Sequence, residues 1–402
     1  MVLPNFYSKI KMKIFFKYNI FKSITAVYAL CFCFSLNSLA QLVENSKPAA
    51  TNLSKTNCPC ILENLSIVFQ VKAPDAKKVQ IDLGKMYDMT KDDQGAWNVT
   101  TAPQVPGFHY YSLVIDGIKV ADPASESFFG MGRMASAIEI PEKGADFYLI
   151  KDVPHGTISS KYYFSNVTNC WRRLFVYTPP GYDTKTSEKY PVIYIQHGGG
   201  EDERGWVEQG KTDIILDNLI AEEKAKPMIV VISNGNVSSG KGGGGYSSAG
   251  MAAFKDEMTK NIVPFIDKNF LTLANPKNRA LCGLSMGGGQ AFYVGLESPD
   301  YFASVGIFSS GIFGGINNPS GKEFDAEKEV PGLLSKSQSF NDKLKLFYIS
   351  VGEQDPRFEF TKKAVRKFQD VGLKVQFNSF SGDHEWQVWR KSLHDFASRV
   401  FN

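Results

Sequence analysis

Hydrophobic and polar positions change their rhythm along this chain. From residue 61 to about 150, short runs alternate between apolar and polar at 66–71, 78–83, 97–100, 109–115 and 147–149, with turns such as Pro74-Asp75 and Asp116-Gly117 between them. A period of two marks half-buried strands, and strands spaced this closely predict a small β-sandwich. After about residue 155 the alternation stops. Apolar strand candidates at 174–177, 192–196, 228–232, 279–282, 304–309, 344–351 and 375–380 read as strands of a sheet covered on both faces. Helical periodicity lies between or after several of them, at 213–224, 252–268, 287–298, 360–371 and 387–400. Strands interleaved with amphipathic helices predict a mostly parallel sheet with helices on both faces. No internal repeat is evident.

The first 40 residues follow a third pattern. Lys9, Lys11, Lys13, Lys17 and Lys22 precede an apolar run over 24–36, which ends in Ser38-Leu39-Ala40 without a single acidic residue. A basic flank, a short apolar core and small residues before Gln41 predict a secretory signal over 1–40. The apolar run of about 13 residues falls short of the roughly 20 that span a bilayer. The polar stretch 41–60 reads as a linker, 61–152 as the β domain and 153–402 as the α/β domain. The expected location is secreted or periplasmic, with no membrane span after signal cleavage.

Charge narrows the partners. The whole chain is +4, and loss of the five signal lysines leaves a mature charge of about −1. No basic block remains to collect phosphates, so nucleic acid is not an expected partner. Export permits disulfides for Cys58, Cys60, Cys170 and Cys282, and a link from Cys58 or Cys60 to Cys170 is one option. Cys282, in an apolar strand, reads as a buried core thiol. Gly242–Gly245 follow Lys241 with no Gly-Lys-Ser/Thr after them, which describes a loop at the rim of a site and not a phosphate cradle.

The chemistry concentrates at Gly283-Leu284-Ser285-Met286-Gly287, placed between a predicted strand and a predicted helix. That context is what a nucleophile elbow needs: a turn so tight that positions −2 and +2 must be small, with a helix N-terminus behind the serine to face a developing oxyanion. A serine hydroxyl needs a base, and the chain holds five histidines. His109 lies in the β region, His155 between the two regions, His197 in a glycine turn and His394 inside the last helix. His384, in the loop after strand 375–380, is the candidate base. Asp355, in Gly352-Glu353-Gln354-Asp355 after the preceding strand, is the candidate acid, with Glu353 and Asp383 as competitors. The order Ser285, Asp355, His384 is that expected of an α/β-hydrolase. The oxyanion donors are expected to be the N–H of Met286 and one from His197-Gly198-Gly199-Gly200, with Gly199 preferred and Gly198 and Gly200 close behind. Trp206, Trp386 and Trp389 flank these segments and are the candidate substrate-binding residues. No metal and no cofactor is expected.

At these residues the chain resembles carbohydrate esterase family 1, the esterase D-like group of feruloyl esterases, acetylxylan esterases and the related enterochelin esterases. The matching pieces are Tyr194-Ile195-Gln196-His197-Gly198-Gly199-Gly200, Gly205-Trp206, the stretch 254–266, Gly283 to Gly288, Gly352 to Asp355, and Asp383-His384-Glu385-Trp386 with Trp389. The resemblance implies a metal-free serine hydrolase with its nucleophile, acid and base on Ser285, Asp355 and His384. The segment 61–150 is similar to the early-set immunoglobulin-like domains that precede this catalytic domain in bacterial polysaccharide esterases, domains that bind glycan or pack against the catalytic unit.

The expected fold is thus an α/β-hydrolase preceded by an immunoglobulin-like β-sandwich. The expected function is a secreted serine esterase acting on feruloyl or acetyl esters of xylan, with a polysaccharide or oligosaccharide ester as its partner. Two alternatives remain. A siderophore (enterochelin-type) esterase needs a cationic pocket, for which a nearly neutral chain gives little support. A non-catalytic glycan-binding protein has no need of a complete Ser, Asp and His set.

Overall fold

The computed structural model describes residues 46–53, 56–182, 187–238, 247–315 and 324–402. The expected signal segment and the glycine run Gly242–Gly245 lie outside the described residues. Among the described residues, no helix is long and apolar enough to cross a membrane.

The alternating runs form two antiparallel sheets. Strands β1 (Lys47–Pro48), β2 (Cys60–Ile61), β3 (Ile67–Lys72), β6 (Thr90–Lys91) and β7 (Ala96–Thr100) make one, in the order β1-β2-β3-β7-β6. Strands β4 (Val79–Leu83), β5 (Lys85–Asp88), β8 (Gly107–Ile115), β10 (Ser127–Gly130) and β11 (Arg133–Ile140) make the other, in the order β10-β11-β8-β4-β5, with β9 (Ile118–Val120) paired to β8. One apolar cluster unites them, with Phe69 and Trp97 from the first sheet and Ile81, Tyr111, Leu113 and Ile138 from the second.

Two expectations are corrected here, and strands absent from the pattern are added. Part of the presumed linker 41–60 is paired structure, because β1 takes up β2 and buries Ala49. Residues 147–149 are not a strand: Asp146–Tyr148 form a single 3₁₀ turn that buries Tyr148. Strand β11 and the edge strand β12 (Thr157–Ser165) had no counterpart in the pattern; most residues of β12 are exposed or half-exposed, which hides its alternation.

The second half holds an eight-stranded sheet in the order β12-β13-β15-β14-β16-β17-β18-β19. Its further members are β13 (Cys170–Thr178), β14 (Val192–Gln196), β15 (Ile229–Ser233), β16 (Arg279–Leu284), β17 (Ser304–Phe308), β18 (Leu346–Gly352) and β19 (Val375–Phe380). All neighbours from β15 to β19 run parallel, while β12 and β13 form an antiparallel hairpin at one edge. Alternate residues of each central strand serve opposite layers, which explains their continuous apolarity. Tyr194, Val231, Leu281 and Ile349 meet Phe254, Phe292 and Phe368 on one face; Ile195, Ile232, Cys282 and Tyr348 meet Leu216, Leu393 and Phe396 on the other. Each fully buried aliphatic of this kind contributes roughly 1.5–3 kcal/mol.

The second antiparallel sheet packs against this second face. Phe108, Phe128, Ala137 and Tyr148 join its apolar cluster. Arg390, fully buried on the C-terminal helix Trp386–Ala397, makes a two-pronged pair with Glu139 of β11 at 2.7 and 3.0 Å. A bidentate guanidinium pair out of water fixes orientation as well as distance.

Candidate active site

Ser285 stands between β16 and the helix Met286–Glu297 with φ +50° and ψ −111°. A non-glycine residue at positive φ stores roughly 1–3 kcal/mol, held in place only by its surroundings. Those surroundings are close-fitting. A Cβ on Gly283 would stand 2.6 Å from the carbonyl of Gly287, and one on Gly287 would stand 2.6 Å from the carbonyl oxygens of Gln196 and His197. The N–H of Ser285 is donated to Phe308 at 2.8 Å and that of Gly287 to His197 at 3.1 Å, so strands β14 and β17 grip the turn from both sides.

Two loops at the same sheet edge meet the serine. His384, after β19, has its Nε2 3.0 Å from Ser285 Oγ and its Nδ1 2.7 Å from Asp355 Oδ2. Asp355, after β18, is buried; its other oxygen accepts the N–H and the guanidinium of Arg357 at 2.9 and 3.0 Å. Burial by itself raises the Asp355 carboxyl, but the hydrogen bond and charge of His384, aided by Arg357, outweigh it and hold the group below its ordinary value. The competing acids sit elsewhere: Glu353 is exposed and accepts from Ser379, and Asp383 is exposed and caps the N–H of His384.

The glycine turn after β14 faces the serine. A Cβ on Gly198 would approach Leu284 to 2.6 Å and Ser285 Cβ to 3.6 Å, while one on Gly199 meets nothing within 4 Å. The N–H of Gly198 is committed to Glu201 Oε2 at 3.1 Å. Gly200 does not line the cleft, whereas Gly199 does, and no acceptor among the described residues takes the Gly199 N–H. Met286 opens the helix, where the N–H has no partner within the helix.

Glu201 was not singled out in the sequence, although an acid directly after three glycines was a usable signal. Its carboxyl is buried under the turn and accepts from Gly198 and from Tyr110 Oη at 3.4 Å. Burial pushes it up to about 7, against the lowering effect of the Gly198 N–H. Tyr110 itself belongs to β8, and its hydroxyl is also reached by Gln209 Nε2 at 2.7 Å.

The triad opens into a cleft of about 820 Å³ with walls from both halves of the chain. Gly198, Gly199, Leu284, Ser285, His384 and Trp389 form one wall, and His109, Tyr110, Met131 and Arg133 belong to the other. The packing of the β region against the sheet therefore builds part of the site, which its sequence did not disclose. Trp386 and Trp389 line the cleft, and the Trp389 indole stands edge-on to His384 with centroids 5.0 Å apart. Trp206 is corrected. It is fully buried, donates Nε1 to the carbonyl of Gln196 at 2.9 Å and does not reach the cleft, so it supports the glycine turn from beneath.

The remaining histidines have structural partners. His155 pairs with Asp217 at 2.9 Å, the buried His197 accepts the N–H of Gly235 at 3.0 Å on Nε2, and His394 packs on Phe147. All four described cysteines are free thiols, so no bridge joins Cys170 to Cys58 or Cys60.

A mostly parallel sheet with a Ser, His and Asp meeting at its carboxyl edge puts the chain among α/β-hydrolase-type folds. The esterase family matches residues 165–399, more than half of the chain, and the chain belongs to that family. It is 37% identical over 346 residues to an endo-1,4-beta-xylanase/feruloyl esterase of Xylanibacter ruminicola, covering 83% of this chain and 44% of that protein. It is 31% identical over 239 residues to endo-1,4-beta-xylanase Y of Acetivibrio thermocellus, covering 56% of this chain and 20% of that protein. The chain thus spans less than half the length of these relatives. In fold it is similar to a CE1 ferulic acid esterase of Anaeromyces mucronatus (TM-score 0.53, 24% identity, 64% of this chain and 95% of that one). It is also similar to the enterobactin esterase of Shigella flexneri (TM-score 0.62, 16% identity, 84% of this chain and 94% of that one).

Proposed function

We propose that this chain is an exported serine esterase that removes feruloyl or acetyl groups from xylan through an acyl-enzyme. The observation that carries the mechanism is the relay from Ser285 Oγ to His384 Nε2 at 3.0 Å and from His384 Nδ1 to Asp355 Oδ2 at 2.7 Å. In the first step Ser285 Oγ bonds to the ester carbonyl carbon while His384 takes its proton. Asp355 holds the imidazole in the required tautomer and stabilises its charged form. The carbonyl oxygen, now an oxyanion, receives the N–H groups of Met286 and Gly199. The ester C–O bond then breaks and the sugar oxygen leaves with the proton from His384. Water, deprotonated by His384, attacks the acyl carbon; the acid departs and the proton returns to Ser285.

The substrate reading draws support from the named relatives, and a cleft of about 820 Å³ over the triad has room for an ester carrying a sugar. The export reading rests on the basic and apolar pattern of residues 1–40. The immunoglobulin-like reading of the β region is supported by two antiparallel sheets around one core.

The test is release of ferulate from arabinoxylan and of acetate from acetylated xylan, beside Ser285→Ala. Expected is release of one product, abolished by the substitution. Hydrolysis unchanged in Ser285→Ala would overturn the triad. One observation favours a second reading as a siderophore esterase: Lys85 and Arg133 line the cleft, and neither has a carboxylate partner among the described residues. An anionic ferric catecholate suits such groups. Hydrolysis of that ester with none of xylan would decide for it.

A further inference from the structure

The hairpin of β12 and β13 carries a face that changes character along its length. Residues 158, 160, 162 and 164 share one side of β12, and their cross-strand partners Tyr177, Phe175, Arg173 and Trp171 share the same side of β13. At the inner end Tyr177 is fully buried and Phe175 packs against the core. At the outer end the face runs into solvent, with Tyr162 61%, Phe164 43% and Trp171 70% exposed. Phe164 and Trp171 stand edge to face with centroids 5.9 Å apart. Contiguous exposed aromatics on an edge hairpin mark an interaction surface more often than an accident of folding.

Its place in the fold is informative. β13 runs antiparallel to β15 with Leu174 opposite Ser233, so residues 170–173 extend beyond the carboxyl ends of the parallel strands. Ser285, Asp355 and His384 sit at that same edge. Arg172 donates to the carbonyls of Asn234 and Asn236 in the loop after β15. Arg173 pairs with Glu203 at 2.8 Å, two residues from Glu201 in the turn that faces the serine. Three strand spacings, about 14 Å, separate β13 from β16. The rings therefore stand outside the cleft but toward the same carboxyl edge of the sheet.

We propose that Tyr162, Phe164 and Trp171 form a second glycan-binding platform, separate from the cleft, on which the polysaccharide chain stacks while its ester is at Ser285. This rests on the polysaccharide reading above. The chemistry favours a sugar chain. A pyranose ring offers a face of C–H groups to an aromatic ring and keeps its hydroxyls at the rim, where Arg173 stands. The exposed part of the face holds no aliphatic side chain, unlike an interface between protein copies. Three partly exposed rings offer on the order of 400 Å², against about 800 Å² per partner in a stable protein–protein interface.

The test uses the full chain carrying Ser285→Ala, so that binding is read without turnover. Retention on insoluble arabinoxylan is compared with the same chain carrying Tyr162→Ala, Phe164→Ala and Trp171→Ala together, and with Trp171→Tyr alone. The triple variant is expected to lose at least fivefold in retention and Trp171→Tyr to keep most of it. In the Ser285 background, kcat/KM for a small soluble aryl ester should stay within twofold, which also shows that the variant is folded. Equal retention of the triple variant and its parent would overturn the platform, as would a parent that does not bind xylan. Self-association that the triple substitution abolishes, with xylan retention unchanged, would reassign the face to a second copy of this chain. Loss of retention in a protein that releases nothing from xylan would leave the platform standing and remove the substrate reading.

Discussion

Glu201 takes the backbone N–H of Gly198 at 3.1 Å, and the other oxygen of the same carboxyl receives Tyr110 from the β region. One side chain thereby ties the turn that faces Ser285 to the opposite wall of the cleft. With the Gly198 N–H occupied, Gly199 is left as the donor for the proposed oxyanion. Replacing Glu201 by Ala frees the turn. Steady-state kinetics on a soluble aryl ester should show kcat falling about tenfold or more, with KM changed less, because the lost alignment matters most in the transition state. Glu201→Gln keeps an acceptor for Gly198 and should retain most of kcat. An Ala variant with wild-type kcat would deny Glu201 this positioning role.

The same carboxyl carries a pH signature. Its value in the folded chain, raised by burial to about 7, lies above the ordinary 4.5. Between those values the folded state holds a proton that the unfolded state has lost, so stability falls as pH rises through the window. The loss is of order 3 kcal/mol. Glu201→Gln has no proton to lose. Thermal melts from pH 4.5 to 8 should show Glu201→Gln gaining on the wild type as pH rises. Parallel Tm curves would contradict the buried acid.

The parts of the molecule that follow a strong local rule were legible in the sequence. The run 192–196 is a strand with those bounds, because a fully buried parallel strand has no competing pattern, and 375–380 matches its bounds too although its residues are only half-buried at the sheet edge. Ser285, Asp355 and His384 could be paired because each lies directly after a strand of one parallel sheet, and topology alone brings such loops together. Tyr110, Met131 and Arg133 could not be placed in the cleft, since their approach depends on how two sheets dock, through contacts such as Arg390 with Glu139. Trp206 was misjudged for a related reason. Its position beside the glycine turn was right, but its indole N–H satisfies a carbonyl under the turn and faces away from the cleft.

Gly200 marks where the two halves touch. It adopts φ +78°, and its carbonyl accepts the N–H of Gly132, in the β10–β11 turn, at 2.8 Å. A Cβ here would stand 3.1 Å from that nitrogen and 3.2 Å from Met131 Cα. Gly200→Ala combines a strained backbone with pressure on the hairpin, and denaturant melts should show a loss of about 1–3 kcal/mol. Gly199→Ala, with open space and no positive φ, should be nearly neutral in stability. Equal stability of the two variants would mean that the contact is not specific.

The choice of acid is open to direct comparison. Asp355 is buried and bonded to His384 Nδ1, while Asp383 is exposed and serves only a backbone N–H. Asp355→Asn leaves the shape but favours the wrong imidazole tautomer, and kcat should fall by about 10⁴-fold. Asp383→Asn should cost less than about tenfold, since the backbone cap survives in the amide oxygen. The reverse ranking would move the acid to Asp383.

Trp389 stands beside the proposed base His384 and carries two separable predictions. Its ring lies edge-on to His384 and, at 5.2 Å, to Trp386, so removing it opens space beside the imidazole. Trp389→Ala should lose about 3–5 kcal/mol of stability and lower kcat by letting His384 turn away from Ser285. The indole Nε1 is buried without a partner among the described residues, on a side chain that lines the cleft. A donor left in that state is ready for a ligand oxygen, because an unpaired buried polar group costs roughly 1–3 kcal/mol. Trp389→Phe keeps most of the packing and removes only the donor, so kcat on a minimal aryl ester should be little changed. KM for the natural ester should rise several-fold if the N–H meets the substrate. A Phe variant with unchanged KM on every ester would reduce Trp389 to packing alone.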